Sequence, residues 1–317
     1  MIRKILLFLF LLEAILFAGV FSAEIRPDGQ KSDRVGKIRI LDQRELIFDR
    51  VGGKAFSEIS DLAYLAKRHW LFMLSDEGKL FRFRARFGNK IEELTPLDAN
   101  TLRKKSGKKL KKWRRDSEGM TLDGKDRLYV SFEEKPRIAR ISYGGRILRT
   151  LKLPRSIDSM KKMLRKNKGL EALIWHPRYG LVTAPEQPVK GANRQMIQTL
   201  YALSGKRWSY RRGGEEESSI TALEVLPNGD FLILERAYAG LLSPVVVTLR
   251  ELQVQKCRHE GLCPTRVLAR FDSSKGWAVE NFEGLVRVAD NRYVMVSDDN
   301  DNFFQRTILL YFEVEGK

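Results

Sequence analysis

The chain has 317 residues, 43% of them hydrophobic, so it can bury a large core within one domain. Its formal charge of +18, from 58 Lys and Arg against 40 Asp and Glu, favours anionic partners. Beyond the N-terminal segment no run is apolar long enough to span a bilayer as a helix and no long stretch has helical periodicity, which leaves an all-β reading.

In chain order, MIRKILLFLFLLEAILFAGVFSA joins a basic start, an apolar run and a small-residue exit at Ser22-Ala23. That pattern reads as a signal peptide over residues 1–23, placing residues 24–317 as one domain in the periplasm or outside the cell. Glu13 within the apolar run and the bulky Phe21 leave an uncleaved anchor as the alternative, and only that alternative would bring the protein to a membrane. Removing Arg3, Lys4 and Glu13 leaves a charge of +17.

GKIRILDQRELIFD, residues 36–49, reads as strand. There follow five hairpin-like units, from ISDLAYLAKRHWLFMLSDEG at 59 to NFEGLVRVADNRYVMVSDDN at 281. Each has an apolar strand, a polar turn such as Asp123-Gly124 or Asn228-Gly229, a second apolar strand and an acidic ending. Four units keep one spacing, with Asp61 and Asp76, Glu118 and Glu133, Glu171 and Glu186, and Glu283 and Asp298 each 15 residues apart. The unit at 219 departs, with Thr221 in place of the first acid and Glu235 14 residues later. The units recur every 50 to 62 residues and are usually followed by further strand-like runs, such as LFRFRARF at 80 and RTILLYFEV at 306. Four strands per repeat predict a β-propeller of five or six four-stranded blades, closed by residues 36–49.

In an antiparallel hairpin the start of the first strand and the end of the second lie at one end of the sheet. The paired acids are therefore expected to converge around the propeller axis as a ring of Asp61, Glu118, Glu171 and Glu283 with Asp76, Glu133, Glu186, Glu235 and Asp298. Crowded carboxylates raise one another's pKa unless a cation sits among them, and hard oxygen ligands suit Ca²⁺ or Mg²⁺. The competing reading is structural, each acid accepting hydrogen bonds from a neighbouring blade or from Arg236 and Lys168. Asp298-Asp299-Asn300-Asp301-Asn302 is not an EF-hand loop, because Phe303 and Leu309 stand where that loop needs Gly and Glu. His69 and His176 fall at the turn end of their hairpins, away from the acids, and neither a Gly-x-Ser-x-Gly nor a phosphate loop is present.

RKKSGKKLKKWRR, residues 103–115, carries nine Lys or Arg in 13 positions and reads as a solvated connection between the first two units. Export argues against nucleic acid as its partner. Cys257 and Cys263 are the two cysteines, and in an oxidising compartment they read as a disulfide contributing about 2 kcal/mol. The alternative is a metal site completed by His259.

DSEGMTLDGKDRLYVSFEE, NKGLEALIWHPRYGLVTAPEQ, SITALEVLPNGDFLILER and NFEGLVRVADNRYVMVSDDNDNFFQRT together resemble the phytase-like family, described as "esterase-like activity of phytase", over about residues 50–314. The resemblance implies an exported β-propeller with phosphoester or ester hydrolysis. Departures are Ala172 in place of Gly and Asp61-Leu62 in place of Glu-Gly. The expected function is divalent-metal-dependent hydrolysis of a phosphorylated or other anionic ester, with calcium as the expected ion. Glu118 and Glu283 are the candidate catalytic groups, and Lys168 and Arg236 are candidates for the substrate's anionic group. Asp61, Glu118, Glu171, Glu283 and Asp298 are the candidate metal ligands. Expected partners are an anionic small molecule or an anionic envelope polymer. Alternatives are a non-catalytic binding propeller and a lactonase-like, calcium-dependent ester hydrolase.

Overall fold

The computed structural model describes residues 18–111, 114–161, 169–189, 196–213, 218–238, 243–258, 262–302 and 304–315. The N-terminal strands are β1 (Gly19–Ser22), β2 (Arg34–Val35), β3 (Ile38–Ile47), β4 (Arg50–Val51) and β5 (Lys54–Ala55). Four-stranded antiparallel sheets follow, each running outward in chain order. Blade 1 holds β6 (Ile59–Leu65), β7 (Trp70–Ser75), β8 (Lys79–Phe87) and β9 (Ile91–Thr101). Blade 2 holds β10 (Ser117–Leu122), β11 (Leu128–Phe132), β12 (Arg137–Ile141) and β13 (Ile147–Thr150). Blade 3 is β14 (Leu170–His176), β15 (Gly180–Pro185), β16 (Ile197–Ala202) and β17 (Arg207–Arg211). Blade 4 is β18 (Ser218–Val225), β19 (Phe231–Ala237), β20 (Val246–Leu252) and β21 (Thr265–Asp272).

Blade 5 takes β22 (Asn281–Ala289), β23 (Arg292–Asp298) and β24 (Ile308–Val314) from the end of the chain and β3 from its start. The register Ile308 to Glu45 through Val314 to Ile38 closes the ring at five blades. β1 pairs with the outer edge of β3, so residues 19–22, within the segment read as a signal peptide, take up strand structure; residues 1–17 lie outside the described ones.

The inner and middle strands are buried on both faces because each blade lies between two others, whereas outer strands such as β17 alternate exposed and buried. Five clusters of buried side chains fill the five blade interfaces. Phe72 and Leu74 meet Met120 and Phe132 between blades 1 and 2, and Trp208 and Tyr210 meet Phe231 and Ile233 between blades 3 and 4.

Every innermost strand carries a β-bulge near its start. The register shifts between Ile59 and Asp61, Ser117 and Met120, Leu170 and Ala172, Ile220 and Ala222, and Phe282 and Gly284. The extra residues are Ser60, Glu118 with Gly119, Glu171, Thr221 and Glu283. A bulge re-aims its side chain out of the ladder. Here it frees one position per blade to face the mouth of the axial channel.

Candidate metal centre

The channel mouth is built from the bulged residue of each inner strand and a residue at or just past the end of each second strand. In blades 2 and 3 all four positions are glutamates: Glu118, Glu133, Glu171 and Glu186. Asp116, Glu118 and Glu133 each bring a carboxylate oxygen within 4.8 Å of the others, and so do Glu133, Glu171 and Glu186. Glu133 belongs to both triads and accepts a hydrogen bond from Gly169 N at 3.1 Å. A Cβ on Gly169 would lie 2.6 Å from Glu133 O, so only glycine lets the connection into blade 3 pass this close.

Glu118 and Glu171 receive no side-chain hydrogen bond among the described residues. Their pKa values are pushed well above the ordinary carboxylate range, first by burial and then by charge, from Glu171, Glu283, Asp116 and Glu133 on Glu118, and from Glu186, Glu283 and Glu133 on Glu171. Glu283 binds Arg236 Nη1 at 2.6 Å and accepts Asn281 Nδ2 at 2.9 Å. Burial works against the charge of Arg236, and Glu283, Glu186 and Glu171 more than offset it. Asp298 is pushed up to about 9 by burial and Glu283, and Asp76 to about 7 by burial and its neighbour Glu58, with which it shares a hydrogen bond.

Buried or half-buried carboxylates without donors are costly unless a positive charge joins them. The triads fit a hard divalent cation, because they offer several anionic oxygens within one coordination sphere's reach. The description "Esterase-like activity of phytase" matches residues 54–301, most of the chain. The protein belongs to the phytase-like family. Among solved structures, selenomethionine-substituted virginiamycin B lyase from Staphylococcus aureus is similar at 10% identity and a TM-score of 0.41, over 93% of this chain and 99% of that one. No curated protein matches the chain.

Two expected positions of this phytase-like mouth are corrected. Asp61 is not the blade 1 counterpart of Glu118. Ser60 takes the bulge, and Asp61 lies one step further along the strand, where the other blades have Gly119, Ala172, Ala222 and Gly284. Its side chain turns between blades, where Oδ1 accepts Leu62 N at 2.8 Å and Leu285 N at 3.2 Å while Oδ2 accepts Met120 N at 2.6 Å. Burial still pushes its pKa well up against these amides. Asp61 is a latch between blades 5, 1 and 2.

Glu235 also leaves the mouth. It is buried between Tyr210 OH at 2.6 Å and Arg250 Nε at 2.9 Å, and Arg236 stands at the position of Glu133, Glu186 and Asp298. Ser60 and Thr221 fill the bulges without an acid, each donating its hydroxyl to the next blade, at Ser117 O (2.8 Å) and Phe282 O (3.1 Å). The acids therefore gather on the side of blades 2 and 3, with Glu283 tied to Arg236 and Asp298 to Asn300 N at 2.9 Å. Lys168 lies outside the described residues, as does His259. Asp116 is the member of the triads that the repeat spacing misses; its placement two residues before Glu118 is the available signal. Cys257 and Cys263 form a disulfide.

A cavity of about 670 Å³ opens at the opposite, turn end of the inner strands, lined by Tyr64, Trp175, His176, Glu224 and Arg287 among others. Its acids are committed. Glu224 accepts Val225 N and Arg287 N, and Asp123 accepts Lys125 N, Arg127 N, Arg127 Nε and Tyr129 OH. His176, too, is fixed between Gly229 O and Arg178 N. The carboxylate triads lie at the other end of the channel.

Proposed function

We propose that the channel mouth hydrolyses phosphorylated or other anionic esters with the help of a divalent cation, calcium being the fitting ion. The observation that carries this reading is the pair of overlapping carboxylate triads in which the carboxylates of Glu118 and Glu171 receive no protein hydrogen bond among the described residues. Glu133, Glu171 and Glu186, with Glu118 and Asp116 beside them, are the residues to hold the cation. A cation bound there supplies Lewis-acid polarisation of an ester oxygen and offsets developing negative charge.

The remaining roles belong to the chain. Arg236 presents a guanidinium fork to the substrate's anionic oxygens, and Glu283 with Asn281 holds that fork in place. Glu283 is thus a positioning residue rather than a metal ligand. Glu118, whose carboxylate receives no side-chain hydrogen bond among the described residues, accepts the proton of the attacking water as the new bond to phosphorus or carbonyl carbon forms. The ester bond breaks, and the leaving alkoxide takes that proton back. The disulfide and the apolar start of the chain support export as the setting.

The test is release of phosphate from a phosphomonoester or inositol phosphate by purified residues 24–317, with and without chelator. Activity lost in chelator and restored by calcium is expected. Glu118→Gln should lower kcat by about 10²-fold or more with little change in KM, and Arg236→Gln should act more on KM. Metal binding without turnover of any phosphoester, carboxyl ester or lactone would leave a binding propeller instead.

A further inference from the structure

The basic run begins with residues 103–111, which take no part in the carboxylate mouth yet are built rather than slack. It connects β9 to β10. Arg103 forms an antiparallel bridge with Lys109, Lys104 N donates to Lys108 O at 2.9 Å, and Gly107 N donates to Lys104 O at 2.8 Å. Gly107, at φ +82°, closes this small hairpin. Leu110 is its anchor, buried in the cluster between blades 1 and 2, while Lys105, Lys108, Lys109 and Lys111 face solvent.

The hairpin also adds to the outer edge of blade 2. Arg103 forms a parallel bridge with Arg146, through Arg103 N to Gly145 O at 2.9 Å and Ile147 N to Arg103 O at 2.8 Å. Next to it, the pairing of β12 with β13 sets Arg140 directly opposite Arg149. Like charges opposed across a ladder cost stability. Two such arginine pairs adjoin here, and Arg140 Nε is buried without a hydrogen-bond partner. Among the described residues, no Lys or Arg side chain of the hairpin 103–111, nor Arg140, Arg146 or Arg149, makes an ion pair with a carboxylate. An anion arriving from outside would relieve the repulsion within these arginine pairs.

We propose that this hairpin and the outer edge of blade 2 form a docking surface for a linear polymer of repeating phosphate groups. Guanidinium forks match phosphate oxygens two at a time, and the lysines add point charges along the same edge. A lipid bilayer fits less well. Among the described residues of this patch the large apolar side chain exposed is Leu148, between Arg146 and Arg149, so they offer little to insert into hydrocarbon. The proposal does not depend on hydrolysis at the channel mouth, and its test reads binding alone.

Binding of long-chain inorganic polyphosphate to the full chain is measured by calorimetry as salt is raised from about 50 to about 200 mM, over which affinity should fall about tenfold or more. The variant Lys104→Ser, Lys105→Ser, Lys108→Ser, Lys109→Ser should lose about tenfold at the lower salt with its melting temperature kept. A second variant, Arg146→Gln with Arg149→Gln, should weaken binding in the same direction and stands in if the first does not fold. The control Lys31→Ser, Lys37→Ser, Lys90→Ser, Lys275→Ser removes the same charge elsewhere and should retain most of the affinity. Equal loss in the control, tighter binding to phosphatidylglycerol vesicles than to polyphosphate at equal phosphate, or no binding at low salt would each overturn the proposal.

Discussion

Asp61 and Glu171 are both buried acids of inner strands, yet one step of register gives them opposite roles. Asp61 accepts three backbone amides from three blades, so Asp61→Asn sets an NH₂ group against an amide donor and should cost about 2–4 kcal/mol in urea unfolding while leaving the response to calcium intact. Glu171→Gln should do the reverse. It removes a charge that its neighbours repel, so the metal-free protein should be as stable or more so, and the rise in melting temperature on adding calcium should shrink or vanish. Asp298 adds a pH signature. Its folded pKa of about 9 lies above the ordinary 3.8, so the fold favours its neutral form, and the stability it contributes is complete below about pH 4 and lost as pH rises through about 9. In chelator the melting temperature should therefore decline over that window, and Asp298→Asn should flatten the upper part of the decline. A melting temperature that rises from pH 4 to 9 in chelator would contradict this assignment.

At the scale of the strand and its bulge, the Glu-Gly pair of the repeat has a packing reason. A Cβ on Gly119 would lie 2.5 Å from Leu173 N and 2.6 Å from Glu171 O, and one on Gly284 would lie 2.8 Å from Asp61 Cα. Glycine lets adjacent inner strands approach where the bulge turns the glutamate to the mouth. Gly119→Ala should destabilise by about 1–3 kcal/mol, read from the urea midpoint, and should blunt the calcium response because Glu118 and Glu171 are pushed apart. A full calcium response in that variant would show that strand spacing does not set the site. The same elements explain what the sequence made legible. A common 15-residue interval marks blades 2, 3 and 5 because bulge, hairpin and strand lengths are equal there. In blade 1 the 3₁₀ turn Ala66–Arg68 lengthens the hairpin by one residue, so Ser60 and Asp76 are 16 apart and the interval lands on Asp61 instead. In blade 4 the interval is intact, but it joins Thr221 to Arg236, and a search for acids passes over a cation. Asp116 precedes its strand and lies outside the repeat, so periodicity could not reveal it.

For the whole molecule, the alternation of apolar strands and polar turns was enough to predict a propeller, because buried blades require that pattern. The number five needed the pairing of β3 with β24. Ile38, Ile40 and Leu46 are buried in the closing blade, and without them β24 would present an open apolar edge. Deleting residues 36–47 should abolish cooperative thermal unfolding; a sharp transition at unchanged temperature would mean that the ring does not depend on this closure. A closed ring also fixes the distances among acids from separate blades, which is how a mouth rich in carboxylates persists on a protein of charge +18. The most direct measurement is anomalous diffraction from crystals of residues 24–317 grown in millimolar calcium. A calcium peak coordinated by Glu133, Glu171 and Glu186 is expected, absent in crystals grown with chelator. No peak at the channel mouth, or calcium bound only elsewhere, would contradict the assignment of this carboxylate cluster as the metal centre.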